Sequence, residues 1–154
     1  MPFTGSGWTA NFRSDLLQGK HNFNAGGDVF KVALYTNAAN LDVSTTVAYT
    51  NQGEVVDATY IAGGNALSSL GIFIAGQGAS FGLSNNGMVA WVSFSPLVWP
   101  GANFTCRGAL LYNASKSSAA VSILDFGSDF VFANNNFTIT FATGDPNQAP
   151  IQVH

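Results

Sequence analysis

The chain has 154 residues, with five Lys or Arg, eight Asp or Glu and a formal net charge of −3. That length gives one domain with a core of its own, and so few scattered cations cannot neutralise a run of phosphates, so neither nucleic acid nor an anionic membrane is an expected partner. Charged residues are 8% of the sequence where soluble domains carry roughly 25%; Asn, Ser, Thr and Gly supply the polarity, and such a surface meets little electrostatic cost against other protein copies.

Residues 1–8, MPFTGSGW, read as an N-terminal arm ahead of a single domain over residues 9–154. Its two large aromatics, Phe3 and Trp8, either fold back onto the domain or clip onto a neighbouring chain. The opening has no basic stretch before an apolar one, so no secretory leader is expected. No apolar run reaches the length of a membrane span. In TANFRSDLLQGKHNF, Phe12, Leu16 and Leu17 fall at helical spacing and Gly19 is a plausible stop, which predicts one short helix over residues 10–18. Its face of Phe12, Leu16 and Leu17 is expected against the sheet or a neighbour.

From Asp28 the pattern turns to β. In DVFKVALYT, Val29, Lys31, Ala33 and Tyr35 alternate with Phe30, Val32 and Leu34, which predicts a strand. NAANLDVSTTVAYTNQGEV reads as a long polar loop with a helical turn near residues 45–49. ATYIAGGNALSSLGIFIAG predicts a strand, a Gly-Gly turn and a second strand. Asn86-Gly87 marks a hairpin ahead of a strand over residues 88–94. A short run at 97–99, a Pro-Gly turn and a long strand over 103–112 follow, then SSAAVSILDFG, NNNFTITFAT and PIQVH. Tyr112 and Ser118 are expected to pair across the turn between two long central strands. The whole predicts an all-β chain: an antiparallel, jelly-roll-like β-sandwich with one short N-terminal helix.

Few side chains suggest chemistry. Cys106 lies in the strand FTCRGAL, where alternation sends Arg107 to the opposite face, so it reads as a small core residue rather than an activated thiol. His21 and His154 are too far apart in sequence, and too few, to suggest a metal site. His21 is expected at the surface or as a cap past the helix, and His154 at a frayed end. Asp125, late in an apolar strand, needs a partner if buried. Arg107 on the neighbouring strand supplies one, giving a structural ion pair that fixes register. The competing reading makes Asp125 a general base, but no second polarised group accompanies it.

GQGASFG opens no helix after a strand and so carries no dinucleotide fingerprint, and GDPNQ reads as a turn. The sequons at Asn103, Asn113 and Asn136 lack a secretory context. No catalytic, cofactor-binding or metal-ligating residues are expected, and the chain is not expected to be an enzyme. Aromatics form 13% of it; most belong to a core, and an exposed platform of rings would instead suggest a sugar site.

FKVALYTNAANLDVSTTVAYTNQGEV resembles a family of small tailed-phage virion proteins, in which a helix ending LLQG-H-F leads into FK-ALYT-AA-LD--TT-Y---GEV. YIAGGNAL, RGALLYN, AVSILDFGSD and NNNFTITFATGDPNQAPIQV extend the resemblance over roughly residues 12–153. GIFIAGQGASFGLSNNG departs from it, being longer and richer in Gly. The resemblance implies a virion structural protein, foremost a head decoration (cement) protein. Such a protein is made in the host cytoplasm, binds the outer surface of the major capsid protein lattice, associates with further copies of itself and stabilises the head. On that reading Phe3, Trp8 and Phe12 are the candidate contacts with the capsid or another partner. The alternative is a tail- or fibre-associated virion protein, with or without a carbohydrate-binding role.

Overall fold

The computed structural model describes residues 3–74, 90–141 and 151–153. The Asn86-Gly87 hairpin, GQGASFG, GDPNQ and His154 lie outside the described residues.

Helix α1 is Ala10–Leu17. Thr9 caps it: its side-chain oxygen accepts the Phe12 N–H at 3.2 Å and donates to the Ala120 carbonyl at 3.0 Å, so one hydroxyl starts the helix and ties it to the sheet. Gly19, with φ +63°, ends it in the left-handed region. Phe12 is fully buried and Leu16, one turn on, lies against the same core. Leu17 does not share that face. One further residue rotates it away, and it is 93% exposed.

The strands are β1 (Gly7–Trp8), β2 (Phe30–Tyr35), β3 (Asn65–Leu67), β4 (Ser69–Ile74), β5 (Ala90–Phe94), β6 (Leu97–Ala102), β7 (Thr105–Asn113), β8 (Ala119–Val131), β9 (Asn135–Ile139) and β10 (Ile151–Val153). They form a five-stranded sheet in the order β1-β8-β7-β2-β3, a three-stranded sheet β10-β5-β4 and a two-stranded sheet β6-β9. Every pairing between named strands is antiparallel. The chain is therefore mostly β with one short helix among the described residues.

Local chemistry moves several elements from their expected places. Residues 58–61 form no strand: the chain turns at Ala58 and Thr59, because Asp57 Oδ1 accepts both the N–H and the hydroxyl of Thr59 at 2.8 and 2.6 Å and pulls the chain out of extension. Pro100-Gly101 makes no turn. It sits inside β6, where the register against β9 shifts between Trp99 and Ala102. The turn expected near 45–49 falls earlier, where the Thr46 N–H reaches the Asp42 carbonyl at 2.9 Å. Across the β7–β8 hairpin, Tyr112 pairs with Ala120 rather than Ser118.

The larger difference concerns residues 36–63. Both faces of β2 are buried. Phe30, Val32 and Leu34 join one core with Phe12, Val92, Phe94, Trp99 and Leu111, which draws on side chains from all three sheets. Ala33 and Tyr35 join a second core with Phe3, Leu41, Leu110, Tyr112 and Ile123. What reads as a polar loop is a covering layer: Ala39 and Leu41 are buried on that second face, with Val43 and Tyr49 packed against it. Its apolar residues follow no period of two or 3.6, because the segment crosses the sheet in turns rather than as an element.

Candidate functional site

The aromatics expected as partner contacts fold back onto their own chain. Phe3 is buried in the second core and bridges Leu41. Gly108 makes room for it: a Cβ there would lie within 2.5 Å of the Phe3 ring and the Leu124 carbonyl. Gly7 and Trp8 pair with Ile123 and Ser122 of β8. Trp8 is half-buried, its ring edge-on to Phe12 at 5.4 Å. Phe12 and Phe3 thus belong to different cores, and the three residues form no common outward surface.

Arg107 and Asp125 do meet, with Arg107 Nε donating to Asp125 Oδ1 at 3.3 Å. The register explains why. Cys106 pairs with Phe130 and Gly108 with Asp125, so residues 126–129 bulge out opposite Arg107 alone. Asp125 Oδ1 also accepts the Gly127 N–H at 2.9 Å, where φ is +79°. The Ser6 hydroxyl takes the Asp125 N–H at 2.8 Å. Asp125 therefore closes the neck of a bulge. Cys106 is fully buried, and burial, with Asp129 nearby, pushes its thiol up to about 12, which keeps it from thiolate chemistry at neutral pH.

The densest polar constellation is one that sequence reading passed over. Glu54 is buried and accepts from Tyr49 OH (2.6 Å), Tyr60 OH (2.6 Å) and the Gly63 N–H (2.7 Å). Tyr60 OH in turn accepts the Leu34 N–H at 2.9 Å, while the Val55 N–H donates to the Leu34 carbonyl at 2.9 Å. Tyr112 OH donates to the Gly63 carbonyl at 2.7 Å, and its ring stacks on Tyr49 at 4.9 Å. Tyr35 OH donates to the Thr50 carbonyl at 2.6 Å. These are all four tyrosines of the chain. Burial first, and then Glu54, push the ionisation of each above the usual tyrosine range. They therefore remain donors at neutral pH. The arrangement fastens the covering layer to β2 along the edge that β3 leaves open beyond Val32. The signal lay in the strings ALYT, AYT, GEV, YIAGG and LLYN, which hold these residues.

A second polar cluster sits at the opposite end of β2. The His21 side chain is 1% exposed, not at the surface, and lies among the rings of Phe12, Phe23 and Phe30. Its Nδ1 is 2.8 Å from Asn113 Nδ2 and its Nε2 is 3.5 Å from Asp15 Oδ2. Asp15 also holds Lys20 Nζ at 2.7 Å and Asn11 Nδ2 at 2.9 Å. Beside it is a shallow groove of about 700 Å³ whose walls include Asn11, Asp15, Gln18, Lys20, Lys116 and Ser117. Among the described residues no three His, Cys, Asp or Glu are grouped to hold a metal ion, and no helix is long and apolar enough to cross a membrane.

Apolar side chains are exposed at the end of the five-stranded sheet away from His21 and on the covering segment beside it. Val56 is 96% exposed, Ile61 72% and Val131 74%, with Phe130 beside it at 45%. They sit on neighbouring segments. The Asn103 N–H donates to Thr59 Oγ1 at 3.1 Å, the Phe104 ring touches both Tyr60 and Phe132, and the Phe132 N–H donates to the Phe104 carbonyl. No protein-family model, curated protein or solved structure matches this chain.

Proposed function

We propose that the chain is a virion structural protein of the decoration type, which adheres to the outer surface of a major capsid protein lattice and strengthens the head. The observation that carries this reading is the apolar end just described. Val56 and Ile61 stand exposed on the segment that the Glu54 cluster fastens, and Phe130 and Val131 on the neighbouring end of β8, on a chain with few charges. Such a surface gains by burial at roughly 25 cal/mol per Å², and a pre-fastened loop loses little entropy on docking. The resemblance of the ALYT, GEV, YIAGG and LLYN strings to phage virion proteins supports it from the sequence side. Contact passes to these tips rather than to Phe3 and Phe12, which the chain uses for its own cores. The shared core of the three sheets supports reading them as layers of a jelly-roll-like sandwich. Self-association and a virion location belong to the same proposal.

The test is co-sedimentation of the purified chain with undecorated particles, with copies counted per particle. A copy number that scales with the capsid subunits, and binding that changes little with salt, are the expected results. A small fixed number per particle would move the protein to the tail, and no co-sedimentation would overturn the reading.

A further inference from the structure

We propose that His21 and Asn113 form an acid-opened clasp that ties helix α1 and the loop before β2 to the β7–β8 turn. The orientation of the Asn113 amide is fixed by its other partners. Its Oδ1 accepts the Ser115 N–H at 3.0 Å and its Nδ2 donates to Asp28 Oδ2 at 2.8 Å. The remaining Nδ2 hydrogen faces His21 Nδ1 at 2.8 Å, so that nitrogen is an acceptor and the imidazole proton sits on Nε2, turned towards Asp15. Asp28 also takes the Asn22 N–H at 2.9 Å. One neutral imidazole thus links residues 21–28 to the turn at 114–118, with its Nε2 held 3.5 Å from Asp15 of α1.

Protonation places a hydrogen on Nδ1, opposite the Asn113 amide hydrogen. Two donors then face each other. If Asn113 turns its oxygen to Nδ1, it gains that bond but loses the ones to Asp28 and to the Ser115 N–H, since its NH₂ then meets a donor at Ser115. The clasp cannot keep all its bonds in both protonation states. The charged groups around His21 are Asp15 on α1, Lys20 just past it, Asp28 ahead of β2 and Lys116 in the turn, 3.9 Å from Asp28. Burial lowers the pKa of His21 against the pull of Asp15 and Asp28. Burial of Asp28 opposes its charge, but the Asn22 N–H, the Asn113 amide and Lys116 outweigh it and hold that carboxyl below its usual range. The sign follows: a histidine with a lowered folded pKa contributes stability that is present above about pH 6.5 and lost as pH falls through the folded value. The turn that opens bears Lys116 and Ser117 and forms one wall of the groove beside α1, so acid reshapes that groove. The clasp is independent of what the apolar end binds.

The experiment is an NMR pH titration of the full chain, with the His21 imidazole signal assigned as the one missing from His21→Gln. The expected midpoint lies below 6.5. The Asn113 side-chain amide and the Ser115 amide should move with the same midpoint, and amides of residues 114–118 should exchange at least about tenfold faster below it. Asn113→Asp replaces the opposing donor with an acceptor and should raise the His21 midpoint by about one unit or more. A His21 midpoint at or above 6.5, or Asn113 and Ser115 signals that do not follow it, would overturn the clasp.

Discussion

The two faces of β2 are closed by different physics. On one, Phe30, Val32 and Leu34 meet Phe12, Phe94 and Trp99, and the contact is apolar and without direction. On the other, Ala33 and Tyr35 lie under a layer held by the buried Glu54 carboxylate and the phenols of Tyr35, Tyr49 and Tyr112, with the Tyr60 hydroxyl reaching Glu54 from the first core. Dispersion and burial tolerate changes of shape that keep volume. A charge that accepts three short hydrogen bonds tolerates almost none, because every donor left behind is stranded. Hence the apolar face supplies bulk stability, and the tyrosine face supplies the fixed position of the segment that carries Val56 and Ile61.

Alkali should separate the two faces most completely. All four tyrosines have raised folded pKa values, so the stability they give is whole below the unfolded value of about 10 and is lost as pH rises beyond it. Tyrosinate absorbance should therefore appear late and together with loss of structure. Tyrosinate that forms at about pH 10 with the fold intact would contradict the cluster. Next in size is Glu54→Ala, which strands two hydroxyls and the Gly63 N–H and should cost about 3–5 kcal/mol in denaturant unfolding. Amides of residues 36–63 should lose protection before those of β7.

Paired isosteres sharpen the contrast. Leu34→Met should cost less than about 1.5 kcal/mol, whereas Glu54→Gln, equally close in shape, should cost more than that, because its NH₂ faces donors. Tyr60→Phe removes one bond to Glu54 and orphans the Leu34 N–H, for about 1–3 kcal/mol. At the small end, Leu17→Asp should leave stability within about 0.5 kcal/mol, since that side chain stands in solvent.

The apolar face was largely legible in the sequence. Alternation in FKVALY and in AAVSIL marks strands wherever they lie, and Asn-free runs such as RGALLY place them centrally. The helix was legible from Phe12 and Leu16, but a short window could not show that Leu17 falls off their stripe. The tyrosine face was not legible. Its members are spread over residues 35–112 and meet only through tertiary folding, and a lone Glu54 in NQGEV reads as a solvated charge. His21 was misplaced for the same reason, since its partner Asn113 is brought to it by the β2–β7 pairing. The fold-back of Phe3 also changes what a truncation would mean. Removing residues 1–8 deletes β1 and empties a buried site, so it would report on stability rather than on adhesion.

The most direct test of the central claim, that the protein adheres through the end fastened by Glu54, is a comparison of two exposed apolar residues at opposite ends. Ile61→Asp and Leu17→Asp should both fold, as checked by their unfolding midpoints, and both are then assayed by co-sedimentation with undecorated particles. Ile61→Asp should bind at least about tenfold more weakly, equivalent to about 1.4 kcal/mol, while Leu17→Asp binds as the unaltered chain does. Equal binding by both, or a loss confined to Leu17→Asp, would contradict the account.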